Sequence, residues 1–361
     1  MNKYIAISQK DLKYNADRLT ECMDVPIIAV VKCNGYGLGI DLAVRTWYES
    51  GVRFFAVSEP EEALAIRKLG YEDAEILLLA PTWDAETVRA LYEANVIMTV
   101  TDAECARFLA SVCEGARVHV KVNVGMGRFG LKYTRVLEIA LIYRQEGLRF
   151  EGIFAHFPQS FAEDSAVTMQ QLEHFNRLTE QLKEQGIEVG MRHIANSCGA
   201  LKYPEARLDA VRIGSALTGR LPGKVPCTLK RIGILKAQIA DVTELEAGDT
   251  SGYSMVCKIK EKTNAAVVTA GYTDVWGVER HIPALCKTDV LRNMYHALRE
   301  GVTRRTVTWQ GRKLKVLGRI GTQYTVIDRG NSELKPGDWV EIEINMMLAD
   351  SSLPRVPEED A

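Results

Sequence analysis

The chain has 361 residues, of which 47% are hydrophobic and 25% are charged, and its formal net charge is -2. This composition is typical of a soluble globular protein with enough apolar residues for one large domain or two medium ones. A net charge near zero gives no general attraction for nucleic acid or for an anionic membrane, so neither is an expected partner. An anionic ligand would have to be bound by local groups.

The sequence contains no segment typical of a membrane span, a secretion signal or a metal centre. Its apolar runs are shorter than the roughly eighteen residues that span a bilayer, and the N-terminus lacks the apolar core of a signal peptide. We therefore expect a cytoplasmic protein. The eight cysteines include no C-x-x-C pair, and no histidine spacing is typical of metal ligands. Neither a disulfide framework nor a metal site is indicated.

The first part of the chain alternates short apolar runs with helical patterns. A leading helix is predicted in ISQKDLKYNADRLTECM. The apolar runs that follow are IIAVV, RFFAVS, AEILLLAP, NVIMTV, RVHVKVNV, LRFEGIFAHF, MRHIANS and RLDAVRIGSAL. Eight strand-like runs separated by helix-like stretches predict an α/β fold with a (β/α)8, TIM-like barrel, because open sheets usually have fewer strands.

After Leu221-Pro222-Gly223 the pattern changes to short alternating strands separated by turns such as EAGD and KPGD. Helical periodicity is confined to TDVLRNMYHALREG. We therefore predict a barrel domain over residues 1–222 and a C-terminal all-β domain over residues 223–361. The final SSLPRVPEEDA is expected to be a loose acidic tail.

Lys32 ends the first predicted strand, in VPIIAVVKCNGYGLG, and is followed by a glycine-rich turn that presents Tyr36. Enzymes with this barrel keep their chemistry at the carboxyl ends of the strands. A lysine that simply reaches solvent is the competing explanation.

Strand five runs into KVNVGMGRFG, where glycines surround Arg128. An arginine held there could meet an anionic oxygen or could make a surface ion pair. Lys121 points inward from mid-strand, where an unpaired ammonium is costly, so it needs a partner or a modification.

Strands six to eight end in groups suited to a flat anionic ligand. His156 ends strand six, and each of His156 and His193 could be a ligand, a stacking ring or a hydrogen-bonded core histidine. Strand seven ends in Asn196-Ser197, and strand eight brings Arg212, Gly214 and Ser215. The ends of strands seven and eight commonly form a phosphate site. A lysine that can form an imine, facing a phosphate site, is what a pyridoxal phosphate enzyme requires.

These motifs resemble those of the alanine racemase family, the barrel-type pyridoxal phosphate enzymes. The matching segments are AVVKCNGYGLG, KVNVGMGRFG, AHF, HIANS and VRIGSALTG in the barrel, with SGYS and GYTD in the β domain. The resemblance covers nearly the whole chain. It implies an isomerase that racemises a small amino acid, alanine first, and supplies D-alanine for peptidoglycan.

The resemblance also implies a role for each matched residue. Lys32 would bind the cofactor and act as one catalytic base, and Tyr253 of the partner subunit would act on the opposite face, so that a homodimer shares each active site. Arg128 would approach the cofactor ring and the substrate carboxylate, above a carbamylated Lys121. His156 would lie by the ring, and His193 would hydrogen-bond Arg212, which faces the pyridine nitrogen. The residues expected at the phosphate are Tyr36, Asn196, Ser197, Gly214 and Ser215.

The substrate region departs from the family pattern. Thr322 and Gln323 stand where members usually have Met-Asp, and Tyr272 is the second tyrosine expected there. Asn123 replaces a common aspartate, and Asn345-Met346-Met347 provides no tyrosine to narrow the pocket. A wider, more polar pocket would suit serine or another small polar amino acid.

Other interpretations remain open at this point. An amino-acid decarboxylase of similar architecture generally places an acidic residue where Arg212 lies. A cofactor-binding homeostasis protein would have the barrel alone. A catalytically idle relative would keep the fold without the activity.

Overall fold

The computed structural model describes residues 1–278, 289–295 and 305–358. They form two compact units, one of residues Gln9–Ile232 and the other of Met1–Ser8 together with the chain from Gly233 onward. The strands, in chain order, are β1 (Lys3–Ser8), β2 (Ile27–Val30), β3 (Phe54–Val57), β4 (Glu75–Leu78), β5 (Met98–Val100), β6 (Ala116–Asn123), β7 (Leu131–Lys132), β8 (Leu148–Phe154), β9 (Met191–His193), β10 (Val211–Ile213), β11 (Ile234–Leu245), β12 (Thr250–Ser251), β13 (Cys257–Lys258), β14 (Thr263–Val268), β15 (Thr306–Trp309), β16 (Arg312–Val316), β17 (Thr325–Asp328), β18 (Trp339–Ile342) and β19 (Arg355–Glu358).

The helices belong mainly to the first unit. They are α1 (Gln9–Glu21), α2 (Lys32–Tyr36), α3 (Ile40–Glu49), α4 (Pro60–Lys68), α5 (Ala85–Glu93), α6 (Ala103–Val112), α7 (Val136–Tyr143), α8 (Ala166–Glu184) and α9 (Ser197–Lys202). In the second unit, residues 289–295 are helical, and the rest of the predicted TDVLRNMYHALREG helix lies outside the described residues.

The first unit is a closed parallel barrel. One sheet has the order β10-β2-β3-β4 and another β5-β6-β8-β9. A parallel bridge between Leu77 and Ile97 joins β4 to β5, and Arg212 N donates to Ala195 O (3.0 Å) beside β9 and β10. The eight apolar runs of the sequence are the eight strands of this barrel, with helices between them.

Most of the barrel strands are short and largely buried, although β8 and β9 begin with residues that are not buried. β2 is buried along its entire length, and its side chains pack in a cluster with neighbouring strands. Strands that are covered on both faces need continuous apolar runs, because neither face meets water. This packing fixes the strand ends from which the polar residues project.

The second unit is a mainly antiparallel sheet that curls back on itself. Its order is β14-β17-β16-β15-β18-β11-β1-β19, and β14 also pairs with the second half of β11. The predicted β strands of this region are confirmed.

The N-terminus and the C-terminal tail differ from expectation. Residues Lys3–Ser8 are a strand antiparallel to β11, and Arg355–Glu358 pairs with it in parallel instead of forming a loose tail. Glu358 accepts hydrogen bonds from Tyr4 Oη (3.0 Å) and Lys236 Nζ (2.9 Å). The pairing partners are more than two hundred residues apart, so a local pattern does not reveal them.

The division between the units falls at Ile232 and Gly233, ten residues beyond the Pro222-Gly223 turn at which the sequence changes texture. Residues 220–232 stay with the barrel because Asn15 Nδ2 donates to Lys230 O (2.7 Å) and Lys230 N donates to Asn15 Oδ1 (2.7 Å). Within the described parts of the chain, no helix is long and apolar enough to cross a membrane.

Replacing Ile5 by alanine should lower the free energy of unfolding by about 2–5 kcal/mol, since Ile5 is fully buried in β1. The control is Lys10→Ala at an exposed site of α1, expected to change stability by less than about 0.5 kcal/mol. Denaturant melts would measure both. Equal stability of the two variants would contradict the pairing of β1 into the second unit.

Candidate active site

A cavity of about 430 Å³ opens at the carboxyl ends of the barrel strands. Except for His193, the predicted site residues of the barrel line it, and they are Lys32, Tyr36, Lys121, Arg128, His156, Asn196, Ser197, Arg212, Gly214 and Ser215. Polar lining residues that the sequence interpretation did not single out are Ser58, Glu59, Ser160 and Cys198. One end of the cavity is rich in hydroxyl groups, and the rest is rich in cationic groups.

Lys32 leads directly into a left-handed turn. Cys33, Asn34, Gly35 and Tyr36 have φ values of 53°, 52°, 64° and 56°, a conformation that costs about 1–2 kcal/mol for each residue with a Cβ. Such strain persists only where the surrounding structure imposes it.

Three contacts impose this turn. Asn34 Oδ1 accepts from Ile40 N (2.9 Å), and Asn34 N donates to Glu62 Oε1 (3.0 Å). Gly35 lies so close to α3 that a Cβ there would be 2.8 Å from the Cβ of Ala43. The turn therefore holds both Lys32 and Tyr36 at the cavity.

The hydroxyl-rich end is formed where β9 and β10 finish. Ser197 Oγ accepts from Gly214 N (3.1 Å). A Cβ on Gly214 would lie 2.5 Å from Tyr36 Oη, so glycine is what lets the phenol approach this backbone. Burial raises the pKa of Tyr36, and the phenol therefore keeps its proton as a hydrogen-bond donor.

Asn196 holds this end of the cavity together. Its Oδ1 accepts from Gly199 N (3.0 Å) and from Ser160 Oγ (2.6 Å), and its Nδ2 donates to Phe157 O (3.1 Å). These contacts fix the side chain as the cap at the start of α9.

Arg212 is the most constrained side chain of the site. Its Nη1 donates to His193 Nδ1 (2.7 Å) and His193 O (3.0 Å), and its Nη2 donates to Ala155 O (2.5 Å), Ile194 O (3.2 Å) and His156 Nδ1 (3.1 Å). The hydrogen bond to His193 that the family resemblance implied is present. These acceptors fix the guanidinium in one orientation, facing the cavity.

Positive charge is concentrated in the cavity. Lys32, Lys121, Arg128 and Arg212 all line it, and Glu59 is the one carboxylate among its described lining residues. Burial is the main cause that lowers the pKa of Arg212 to about 9, so this group is still charged at neutral pH. The site favours a ligand with negative charge.

Lys121 is 4% exposed, and its Nζ donates to Val122 O (2.5 Å). Burial, followed by the charges of Arg212 and Arg128, lowers the pKa of Lys121 to about 7. At neutral pH a substantial part of this side chain is therefore the free amine, which is nucleophilic.

A folded-back loop presents Arg128. Asn123 Oδ1 accepts from Gly125 N (2.9 Å) and Gly127 N (3.1 Å). A Cβ on Gly130 would lie 2.1 Å from Lys121 O, so the loop packs directly on the strand. Both hydrogen bonds of this turn are therefore accepted by a neutral amide oxygen, that of Asn123.

The sequence interpretation missed His119, whose Nδ1 lies 2.9 Å from His193 Nε2. His119 is two residues before Lys121 in β6, and side chains two apart on a strand share a face. That periodicity was the signal that could have placed it beneath the cavity.

The remaining predicted residues belong to the second unit. The backbone of Tyr253 opens a short 3-10 turn, Tyr253–Met255. Tyr272 N donates to Gly321 O (2.9 Å), and Thr273 N donates to Thr322 O (3.1 Å), which brings the Tyr272 and Thr322 segments together. Thr322 and Gln323 are both exposed.

Comparisons with known proteins agree with this architecture. Residues 7–222 match the family model described as alanine racemase, N-terminal domain, and residues 233–350 match alanine racemase, C-terminal domain. The alanine racemase of Desulforamulus reducens is 32% identical over 327 residues, which cover 88% of this chain and 82% of that protein. An amino-acid racemase of Enterococcus faecalis is 30% identical, over 91% of this chain and 45% of that protein.

Solved structures have the same fold. The alanine racemase of Clostridium difficile 630 superposes with a TM-score of 0.85 at 24% identity, covering 100% of this chain and 96% of the other. That of Bartonella henselae, with covalently bound pyridoxal phosphate, gives 0.82 at 22% identity, covering 99% and 100%. The barrel followed by a C-terminal β domain, which the sequence predicted, is thus confirmed. This chain belongs to the alanine racemase family.

Gly35→Ala should destabilise the turn that carries Lys32, by about 1–2 kcal/mol for the left-handed backbone and more for the contact with Ala43. Gly186→Ala is the control, because Gly186 also has a left-handed φ (73°) but nothing lies within 4 Å of its Cβ position. Thermal melts should give the lower midpoint for Gly35→Ala. A lower midpoint for the control would contradict the proposed contact.

Proposed function

We propose that this protein is a pyridoxal phosphate-dependent racemase that interconverts L- and D-alanine. The observation that carries the proposal is the convergence in one cavity of a strand-end lysine, a hydroxyl-rich end and a fixed guanidinium. The family membership supports the same reaction. By this proposal the protein supplies D-alanine, a peptidoglycan precursor, in the cytoplasm.

The hydroxyl-rich end suits the phosphate of the cofactor. Tyr36, Ser197 and Ser215 can donate hydrogen bonds there, and Gly214 has no Cβ, which leaves room for the Tyr36 phenol. Asn196 caps the helix that begins at Ser197 by accepting a hydrogen bond from Gly199 N. Neutral donors and exposed N–H groups are the usual partners of a phosphate ester.

The cationic part of the cavity suits the ring. Because Nη1 and Nη2 of Arg212 donate to protein acceptors, Arg212 would direct its Nε–H to the pyridine nitrogen and keep that nitrogen without a proton. His156 would lie beside the ring. Burial, and next the charge of Arg212, hold the pKa of His156 well below its usual value. A neutral imidazole can accept from Arg212 Nη2, as their 3.1 Å distance requires.

Lys32 would bind the cofactor and exchange a proton with one face of the substrate Cα. When bound, pyridoxal phosphate supplies an electron sink that makes this Cα–H acidic. Racemisation needs a second proton donor and acceptor on the opposite face. We assign that role to Tyr253 of the partner subunit, which makes a homodimer necessary for activity.

Arg128 would bind the substrate carboxylate, since a guanidinium on a rigid loop matches a carboxylate in geometry and charge. Tyr272, Thr322 and Gln323 would border the substrate. The polar pair Thr322 and Gln323 gives serine, or another small polar amino acid, as the second candidate. The names of the curated relatives favour alanine.

Lys121 would be carbamylated. Its lowered pKa leaves a free amine at neutral pH, which can attack carbon dioxide, form an N–C bond and release a proton. The resulting carbamate anion would lie near Arg212 and Arg128, the two charges that help to lower the pKa of Lys121. It would offset a buried positive charge and help to hold Arg128.

The activity is tested with the cofactor-loaded protein in heavy water. We expect L- and D-alanine to exchange the α-hydrogen for deuterium and to interconvert, and serine to react more slowly. Lys32→Ala should lower the rate about a hundredfold or more and abolish the visible absorbance of the bound cofactor. The control, Lys68→Ala, changes an exposed lysine of α4 and should change neither.

A chiral assay over all the common L-amino acids separates the alternatives. Faster turnover of serine would assign the second candidate. Absence of exchange with every amino acid, despite cofactor binding, would indicate a catalytically idle relative and contradict the proposal.

Carbamylation is tested by carbon-13 spectroscopy in labelled bicarbonate. We expect a carbamate carbonyl resonance in the wild type, absent from Lys121→Ala and present in Lys202→Ala, whose lysine donates to Ala162 O on the same unit. A wild-type spectrum without this resonance would exclude the modification.

A further inference from the structure

Arg212 is the first member of a chain of three buried side chains. Its Nη1 lies 2.7 Å from His193 Nδ1, and His193 Nε2 lies 2.9 Å from His119 Nδ1. The three are 3%, 0% and 1% exposed, respectively. His119 is not among the residues that line the cavity, so it can act there only through its neighbours.

The fold makes a specific place for the His119 ring. β6 and β8 change register between Val118 and His119, which puts His119 opposite Gly152. A Cβ on Gly152 would lie 2.6 Å from Cε1 of the His119 ring. The other side of the ring faces Phe54, edge on, at 6.2 Å between centroids. The bulge and the glycine together aim His119 at His193.

Donor and acceptor rules fix the tautomers of both histidines. Burial is the main cause that lowers the pKa of His119 to about 3 and holds that of His193 well below its usual value, so each ring carries one proton. The guanidinium of Arg212 can only donate, and His193 Nδ1 must therefore accept. The single proton of His193 is then on Nε2, and it is donated to His119 Nδ1.

We propose that His119 is a positioning residue, which accepts the His193 Nε2–H and thereby keeps His193 in the tautomer that can accept from Arg212. This inference rests on the proposed function for its catalytic consequence, because Arg212 matters there through the cofactor ring nitrogen. Without the acceptor, His193 keeps a buried unpaired N–H or moves its proton to Nδ1. If the proton moves to Nδ1, His193 and Arg212 both present donors across their 2.7 Å contact, and this conflict displaces the guanidinium.

Replacing His119 by asparagine or by leucine distinguishes the effect of its hydrogen bond from the effect of its size. The Oδ1 of His119→Asn can accept where the histidine Nδ1 does, whereas His119→Leu has a similar size without an acceptor. Phe54→Leu is the packing control, because it removes the ring that touches His119 and leaves the hydrogen bonds intact.

The first readout is the proton position in protein labelled with nitrogen-15 in its histidines, without cofactor. We expect His193, identified by the signal lost in His193→Gln, to be protonated on Nε2 in the wild type, in His119→Asn and in Phe54→Leu. In His119→Leu, the proton should move to Nδ1, wholly or in part.

The second readout is turnover of alanine by the cofactor-loaded protein. His119→Leu should lower kcat by about tenfold or more, because a buried donor is left unpaired at Arg212, while KM for alanine changes little. His119→Asn and Phe54→Leu should stay within about twofold of the wild type.

Two results would overturn the proposal. One is a wild-type His193 that is protonated on Nδ1. This measurement needs no variant, so it tests the proposal even if His119→Leu does not fold. The other is unchanged kcat and an unchanged His193 proton in His119→Leu. The tautomer is measured without cofactor, so a protein that racemises nothing but shows the expected proton positions would refute the proposed function and leave the positioning role of His119 in place.

Discussion

Burial of neighbouring positive charges is the constraint on which the site depends. Burial, followed by the charges of Arg212 and Arg128, lowers the pKa of Lys121, and burial followed by the charge of Arg128 lowers the pKa of Arg212. The barrel offsets part of this cost with the backbone and imidazole acceptors around Arg212. The remaining charge is available to an anionic cofactor and a carboxylate substrate, and a site of this kind binds such ligands in preference to neutral ones.

The rigidity of the site comes from backbone as much as from side chains. The left-handed turn after Lys32 and the loop of Arg128 both place glycines where a Cβ would collide with a neighbour, at Gly35 and Gly130. Each turn is also tied by an asparagine side chain, Asn34 or Asn123. The backbone positions of Lys32 and Arg128 are thereby fixed, although their side chains are long. Fixed positions of this kind are what a preorganised active site requires.

Much of the fold and of the site could be predicted from the sequence, and physical reasons explain which features were found and which were missed. The barrel strands were predictable because strands buried on both faces are continuous apolar runs, and Lys32, Ser197 and Arg212 were found because they lie at or near the ends of such runs. The strands β1 and β19 were missed because their pairing is long-range. The left-handed turn was missed because Cys33 and Asn34 do not demand a positive φ. His119 was missed because, although the alternation along β6 puts it on the face of Lys121, its contact with His193 also depends on the register shift that places it opposite Gly152.

The two-base account requires Lys32 from one chain and Tyr253 of the partner subunit. It is tested most directly by mixing Lys32→Ala and Tyr253→Phe proteins, each inactive alone, under conditions in which subunits exchange. A mixed dimer would contain one site with both residues intact, so the account predicts that racemisation reappears on mixing. Subunit exchange without any recovery of activity would contradict it.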